Sequence, residues 1–134
     1  MTITEVSRKY DITPDTLRYY ERIGLIPPVG RTSSGFRDYQ EEDCNWVEFI
    51  KCMRGAGISV EALTEYVMLF QKGLDTVPAR KQLLIEQRQM LADKLEEIQA
   101  TIERLDKKLD HYEEHMIAYE QEKLTGKAAD SSRE

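Results

Sequence analysis

Residues 13–24 have the sequence TPDTLRYYERIG. Thr13 is a favoured N-cap residue, and Pro14 suits the first helical position because the backbone N–H there has no partner within the helix. Gly24 fits the end of a helix, where a glycine adopts a left-handed conformation at little cost. The stretch therefore predicts one short helix with sharp ends, and its neighbours decide which fold that helix belongs to.

A second short helix is predicted immediately before it. Thr2 and Glu5 have the spacing of a capping box, and an apolar stripe follows at helical spacing. Only residues 11 and 12 separate this helix from the next. Two short helices joined so tightly predict a helix-turn-helix, although short helix pairs also occur in many other folds.

The segment after this pair is rich in turn residues. Residues 25–39 contain two prolines, two glycines and a Thr-Ser-Ser run, which is typical of turns and predicts a small two-stranded wing. Residues 40–54 are predicted to form a helix, and a further helix is expected between Ser59 as its cap and Gly73 as its end. Residues 1–74 are thus predicted to form a winged helix-turn-helix DNA-binding domain.

A long helix without glycine or proline is predicted from about Val77 to Glu122, apart from Pro78 in its first turn. At 1.5 Å per residue it would be roughly 60–70 Å long. Its apolar residues follow an unbroken heptad and form a continuous apolar seam along the helix. The predicted domain of residues 1–74, the head, is too small to bury this seam, so a homodimer is predicted. The predicted interface consists of Leu84, Leu91, Leu95, Ile98, Ile102, Leu105, Leu109, Tyr112 and Met116.

The domain organisation that follows is mainly all-α. Residues 75–123 are predicted to be the coiled-coil dimerisation helix, and residues 124–134 a polar, disordered tail. The chain has 134 residues, and we expect a cytoplasmic protein, because it contains neither a signal-peptide pattern nor an apolar run of about 20 residues.

The charge distribution bears on nucleic-acid binding. The net charge of −6 argues against it, but residues 1–39 carry six Lys or Arg and five acidic residues, a net charge of +1. A DNA-binding protein needs a basic face rather than a basic total. The acidity lies mostly in the C-terminal segment, so the predicted head remains compatible with DNA.

Three motifs resemble those of the MerR family of transcriptional regulators. Residues 17–26 (LRYYERIGLI) are similar to its recognition helix, and residues 31–43, which include GFRDY, are similar to its wing. Residues 53–61 (MRGAGISVE) resemble its second wing and the helix that follows. The resemblance covers about the first 70 residues in the right order, and it implies that the long helices pair as an antiparallel coiled coil.

The resemblance also implies a DNA-contact surface. Arg18 is expected to reach a guanine edge or a phosphate, and Arg31 and Arg37 are expected to hold flanking phosphates. One ring of the Tyr19–Tyr20 pair is expected in the core, since adjacent helical positions cannot both face DNA. The predicted DNA-contact residues are Thr13, Asp15, Thr16, Arg18, Tyr19, Arg31, Phe36, Arg37, Tyr39 and Arg54.

A mechanism is implied as well. Family members bind a two-fold promoter site whose polymerase elements are spaced too far apart, and they bend and untwist the DNA when activated. Such a deformation costs a few kcal/mol, which the protein contacts offset. The expected partners are therefore double-stranded promoter DNA, a second copy of the chain, and RNA polymerase at the promoter.

The two cysteines are the candidate sensors. Cys44 and Cys52 are about 12 Å apart along one predicted helix, which is too far for a disulfide. The cations Lys51 and Arg54 near Cys52 favour a thiolate, whereas the C-terminal end of a helix disfavours it. The short chain and this cysteine resemble the family branch that responds to aldehyde and nitrosative stress through a sensor cysteine. The alternative is that Cys52 is a buried small hydrophobe, and Cys44 is predicted to be structural.

Other functions stay open to different degrees. The chain could respond to another small ligand or oxidant, or bind DNA constitutively with no effector. A scaffold that uses only the coiled coil is disfavoured by the wing arginines, and an enzyme by the lack of a nucleophile–base pair. No cofactor or metal is predicted, because His111 and His115 lie among acidic residues on the predicted coiled-coil surface.

Overall fold

The architecture is helical. The structure is a computed structural model that describes the backbone of residues 1–133 and the side chains of residues 1–124. A short 3-10 helix, Leu74–Thr76, precedes the long helix, and the described residues contain no β-sheet. The α-helices are α1 (Ile3–Tyr10), α2 (Pro14–Arg22), α3 (Glu41–Gly55), α4 (Val60–Lys72), α5 (Val77–Leu109) and α6 (Tyr112–Arg133). The predicted fold class is confirmed.

The first compact unit, Met1–Leu91, holds the hydrophobic core. Leu83 and Leu91 on the first part of α5 pack against this core, so the long helix belongs partly to the head. The division predicted between residues 74 and 75 stays a prediction. The core residues are Val6, Ile12, Leu17, Tyr20, Leu25, Ile26, Val29, Tyr39, Cys44, Val47, Ile50, Ile58, Ala62 and Leu63.

The helix starts follow from local capping. The Thr2 hydroxyl accepts a hydrogen bond from the Glu5 N–H at 3.1 Å, and the Glu5 carboxylate accepts from the Thr2 N–H at 3.2 Å. These bonds from Thr2 lower the pKa of Glu5. Ser59 caps α4 by accepting from the Ala62 N–H at 3.1 Å. The predicted caps are confirmed, since each one satisfies a backbone donor that the helix leaves free.

The wing is smaller than predicted. One bridge, Arg31 to Arg37, replaces the two expected strands within the described residues. The Thr32 N–H donates to the Phe36 carbonyl at 2.7 Å, which closes the tip inside that bridge. Outside the bridge the Asp38 N–H donates to the Gly30 carbonyl at 2.8 Å. The Tyr39 N–H, however, donates to the Met1 carbonyl and the Val29 N–H to Glu21, so the ladder does not continue.

The long helix is interrupted, which corrects the prediction of one continuous helix to Glu122. Helix α5 ends at Leu109 and α6 begins at Tyr112. His111 adopts a left-handed conformation, with φ of 60°, and its ring lies 3.5 Å from Asp110 and 3.4 Å from Glu114. Asp and His are enriched at positive φ, and Asp also favours helix ends, so these two polar residues interrupt a helix that the apolar pattern alone would continue.

The second compact unit, Ala92–Glu134, contains the rest of α5 and α6. None of the side chains at residues 92–124 is buried. The apolar stripe of the α5 part of this unit is at least half exposed, from 50% at Ile102 to 63% at Leu109. The structure describes the backbone of residues 124–133 as part of α6 and no side chain beyond residue 124, so the disordered tail predicted at residues 124–134 stays a prediction. No helix within the described residues is long and apolar enough to cross a membrane.

Replacing Ser59 with alanine tests the cap of α4. We expect Ser59→Ala to lower the free energy of unfolding by about 1 kcal/mol, because the Ala62 N–H loses its acceptor. Thr64→Ala on the same helix is the control, since its hydroxyl only returns to the Glu61 carbonyl and alanine is the better helix former. Urea denaturation measures both. Equal losses in the two variants would contradict the capping role.

Candidate nucleic-acid interface

The inner face of α2 decides which of its side chains reach solvent. Leu17 is fully buried and Tyr20 is 8% exposed. Asp11, just before the helix, takes a left-handed conformation with φ of 53°, which turns the chain from α1 into α2. The exposed side chains of the opposite face are Asp15, Arg18, Tyr19 and Arg22. The structure thus brings three predicted DNA-contact residues of α2 onto one surface.

The N-terminus of α2 is closed by two threonines. The Thr13 hydroxyl accepts from the Thr16 N–H at 3.2 Å and donates to the Thr16 hydroxyl at 2.8 Å. Thr13 is exposed and Thr16 is half-buried. Pro14 has no N–H and the Leu17 N–H donates to the Thr13 carbonyl at 3.1 Å, so among the described residues the Asp15 N–H is the one backbone donor left at this end. Together with the partial positive charge of the helix terminus, it favours an approaching phosphate.

Two cations lie on the exposed face of α2. Arg18 forms an ion pair with Asp15 at 2.8 Å, and both side chains are largely exposed. Such a surface pair contributes at most about 1 kcal/mol, so Arg18 can exchange Asp15 for a phosphate or a base edge at little cost. The Arg22 guanidinium lies 5.5 Å from the centre of the Tyr19 ring. The face therefore offers two arginines, of which the sequence analysis had selected only Arg18.

The adjacent tyrosines have different roles. The Tyr20 ring belongs to the core, and burial raises the pKa of its phenol. Tyr19 is 39% exposed. The prediction that one of the two rings is buried is confirmed, and Tyr19 is the one available to a partner.

The wing tip presents an arginine and an apolar ring. The Arg31 guanidinium donates to the Gly35 carbonyl at 2.9 Å, and Phe36 is 73% exposed. Gly35 has φ of 88°, a conformation that a side chain would strain. A tight turn therefore holds both predicted contact residues outward.

Arg37 is turned toward α2 instead of lying free on the wing. Its Nε donates to Glu21 at 2.6 Å, and the two side chains are only 20% and 15% exposed. The second Glu21 oxygen accepts from the Val29 N–H at 3.2 Å. Sequence reasoning missed Glu21, because its partners follow 8 and 16 residues later and no periodicity links them.

Tyr39 is the predicted contact residue that the structure places inside the head. Its ring is 1% exposed, and its hydroxyl has no hydrogen-bond partner among the described residues. Burial raises the pKa of Tyr39, with Arg37 lowering it and Glu21 raising it by smaller amounts. A buried ring cannot meet DNA, so Tyr39 is left out of the interface.

Arg54 has a structural contact. Its guanidinium donates to the Ile58 carbonyl at 2.6 Å, across the turn between α3 and α4. The residue is exposed, so it retains a surface that DNA could reach. Its predicted DNA contact stays a prediction.

The two cysteines differ in exposure. Cys44 is 5% exposed and lies 3.9 Å from the Met1 sulfur, which confirms it as a core residue. Cys52 is exposed, so the alternative in which it is a buried hydrophobe does not hold for the protomer. Both cations expected to act on Cys52 hydrogen-bond to carbonyls, Lys51 to Tyr10 and Arg54 to Ile58.

Comparison with known proteins places this head in a family. The model described as "MerR HTH family regulatory protein" matches residues 1–68, and the model described as "MerR, DNA binding" matches residues 45–108.

The chain belongs to the MerR family.

Curated relatives agree with this assignment. The HTH-type transcriptional regulator AdhR of Bacillus subtilis is 58% identical over 93 residues, 69% of this chain and 66% of its own length. An HTH-type transcriptional regulator of Pseudomonas aeruginosa is 32% identical over 83% of this chain and 84% of its own length. This MerR chain is therefore a DNA-binding transcriptional regulator, and the prediction that it is not an enzyme is confirmed.

Solved structures show the same architecture. A MerR family transcriptional regulator from Listeria monocytogenes is 44% identical and superimposes with a TM-score of 0.83, covering 100% of this chain and 99% of its own. HiNmlR, described as a MerR family regulator lacking the sensor domain and bound to promoter DNA, is 27% identical with a TM-score of 0.78. That match covers 87% of this chain and 92% of HiNmlR.

Replacing Tyr39 with phenylalanine tests its burial. We expect Tyr39→Phe to be as stable as the wild type or more stable by up to about 1 kcal/mol, because a buried hydroxyl without a partner is costly. Tyr39→Leu is the control, and losing the ring should cost about 2 kcal/mol or more. Urea denaturation at neutral pH compares the two. A marked loss in Tyr39→Phe would show that the hydroxyl has a partner.

The pH dependence of stability supplies a second test. The pKa of folded Tyr39 lies above its ordinary value of 10, so its contribution is complete below pH 10 and is lost as the pH rises through the raised pKa. We expect Tyr39→Phe to lose less stability than the wild type between about pH 9 and pH 11. Parallel alkaline losses in the two proteins would contradict this assignment.

Proposed function

We propose that the chain binds a two-fold promoter site as a homodimer and distorts it to activate transcription, in response to reactive aldehyde or nitrosative and thiol stress. The exposed face of α2 and the adjoining wing tip carry the DNA-binding part of this proposal. A relative with the same fold, HiNmlR, is bound to promoter DNA in its structure. RNA polymerase at the promoter is the expected partner in activation.

The DNA contacts divide into two groups. Thr13, Asp15 and Thr16 at the start of α2, together with Arg18 and Tyr19, would approach base edges in the major groove. Arg31 and Phe36 at the wing tip, with Arg37 and Arg54, would contact the sugar–phosphate backbone. Few cations are proposed to contact phosphates, so few phosphates are neutralised and the salt dependence of binding should be moderate.

The unpartnered stripe of α5 supports the homodimer. Leu95, Ile98 and Leu105 are each more than half exposed, and they recur at heptad positions. An exposed apolar strip of this regularity is costly in water, and a second copy of the same helix offers a matching strip. Holding two heads at a fixed separation is what a two-fold DNA site requires.

A charge placed in this stripe tests the dimer. We expect Ile102→Lys to raise the dimer dissociation constant at least roughly a hundredfold, because each protomer would bury an unpaired ammonium. Ala100→Lys is the control, since residue 100 is exposed and lies outside the predicted seam. Analytical ultracentrifugation measures both variants. An Ile102→Lys protein that remains a dimer would place the interface elsewhere.

Cys52 is the proposed sensor. Its thiol is exposed, and its backbone carbonyl accepts from the Ala56 N–H at 3.1 Å, in the turn that leads to α4. An adduct on this thiol would add bulk beside the α3–α4 turn and the Arg54–Ile58 bond that closes it. Such a change could alter how the head is held on DNA. The sensor assignment rests on this exposure and on the resemblance to the stress-responsive branch.

Transcription in vitro tests the sensor. Wild type and Cys52→Ser are compared on the promoter region of the protein's own gene, before and after formaldehyde or a nitrosothiol. We expect the wild type to activate on treatment, and Cys52→Ser to bind the DNA equally well but stay silent. Cys44→Ser is a less suitable control because Cys44 is buried, so untreated wild type provides the baseline.

A different outcome would favour another effector. If wild type and Cys52→Ser respond alike, Cys52 is not the sensor. The groove of about 200 Å³ lined by Asn45, Trp46, Phe49 and Tyr66 would then be the first candidate for a small ligand. If neither protein responds to any treatment, constitutive binding without an effector is favoured.

A further inference from the structure

We propose that Glu21 is the positioning residue that fixes the wing, residues 29–37, against α2, so that the wing arginines can reach DNA phosphates. The inference rests on the proposed wing–phosphate contacts. It assigns a binding role to an acidic residue that would itself repel DNA.

One carboxylate joins α2 to both sides of the wing. One Glu21 oxygen accepts from Arg37 Nε at 2.6 Å, and the other accepts from the Val29 N–H at 3.2 Å. Val29 lies where the chain enters the wing and Arg37 where it leaves. A charged acceptor that is partly buried forms stronger hydrogen bonds than a neutral one, and the Glu21 carboxylate is the acceptor in both of these bonds.

Val29 also packs in the core, but the other hydrogen bonds of the wing among the described residues are internal. The Thr32 N–H bonds to the Phe36 carbonyl, and the Asp38 N–H bonds to the Gly30 carbonyl at 2.8 Å. These bonds hold the two sides of the wing to each other but not to the recognition helix. Among the described residues, the Arg37–Glu21 ion pair is the one that links α2 to the wing.

The pair also orients Arg37. The bond to Glu21 uses Nε, and neither terminal nitrogen has a hydrogen-bond partner among the described residues. A planar guanidinium held at Nε presents its other donors in a fixed direction, as bidentate recognition of a phosphate requires. Glu21 would therefore act on DNA through Arg37 and through the placement of Arg31.

The sign of the effect separates this role from simple electrostatics. Removing an anion near DNA should tighten binding and leave the number of phosphate contacts unchanged. Removing a positioning residue should weaken binding, and it should lower the number of contacts although no cation is lost. Glu21→Gln is the suitable variant because its amide keeps one acceptor but turns a donor toward the second N–H.

The test uses a duplex that the wild-type protein selects from a random-sequence pool. We expect Glu21→Gln to raise the dissociation constant roughly tenfold. The slope of log K against log salt reports the number of phosphates that the protein contacts, and we expect it to fall by the equivalent of about one to two contacts. Glu42→Gln is the matched control, since Glu42 is exposed on α3 and belongs to none of the ion pairs of the described residues. It should leave the slope unchanged, with equal or tighter binding.

A second variant covers the possibility that Glu21→Gln does not fold, which its thermal unfolding curve would reveal. Arg37→Gln removes one cation and also the Arg37–Glu21 ion pair that holds the wing against α2. If Arg37 were only an independent phosphate contact, the slope would fall by the equivalent of about one contact. If the Arg37–Glu21 pair also positions the wing, we expect a fall of about two contacts, because Arg31 is displaced as well. A fall of about one contact would overturn the positioning role.

Arg31→Gln separates the two proposals. If neither Arg31→Gln nor Arg37→Gln changes the slope, the wing does not contact phosphates, and the proposed wing contacts and the positioning role of Glu21 both fail. If Arg31→Gln lowers the slope while a folded Glu21→Gln binds as tightly as the wild type, or more tightly, only the positioning role of Glu21 is overturned.

Discussion

Leu17 and Tyr20 determine how α2 is presented to a partner, because their burial leaves the helix one orientation on the head. With both side chains in the core, the exposed face must carry Asp15, Arg18 and Arg22. Rotating the helix to expose other residues would bring apolar side chains into water at roughly 2 kcal/mol each. The set of side chains that α2 exposes, which we propose to face DNA, is therefore a consequence of core packing.

The wing depends on the same helix, but through polar contacts. Its tip is held by a short turn and a single bridge, and its base lies against α2 through Glu21. Val29 at its base packs in the core, but Phe36 at its tip stays 73% exposed, so the wing buries little apolar surface beyond Val29. The partly buried Arg37–Glu21 ion pair fixes the direction of the wing tip, and it lies where the two proposed DNA-contact elements, α2 and the wing, meet.

The C-terminal part of the chain obeys a different constraint. Between residues 92 and 124 no side chain is buried, yet the apolar residues recur in heptads across the break at Asp110 and His111. The heptad pattern predicts a continuous apolar seam, whereas Asp110 and His111 determine where the helix is interrupted. A seam of this kind is complete only when a second helix covers it, which is why the homodimer belongs to the proposed function of this regulator.

Helices α1 to α4, the caps at three of their N-termini and the family were determined by the sequence alone. Capping by Thr2, Thr13 and Ser59 depends on neighbours within three residues, and helical faces depend on spacing, so both are visible in the order of residues. The burial of one of two adjacent tyrosines followed from the same geometry.

Only the tertiary structure decided which predicted contacts face outward. Tyr39 is enclosed by the head, Arg37 is held by Glu21, and Cys52 is exposed while Cys44 is buried. The sequence analysis also predicted that the long helix continues past Asp110, because the spacing of apolar residues does not show where the backbone leaves the helical conformation. These outcomes arise from contacts between residues far apart in the chain, or from a local φ that competes with a longer pattern, and neither is encoded in periodicity.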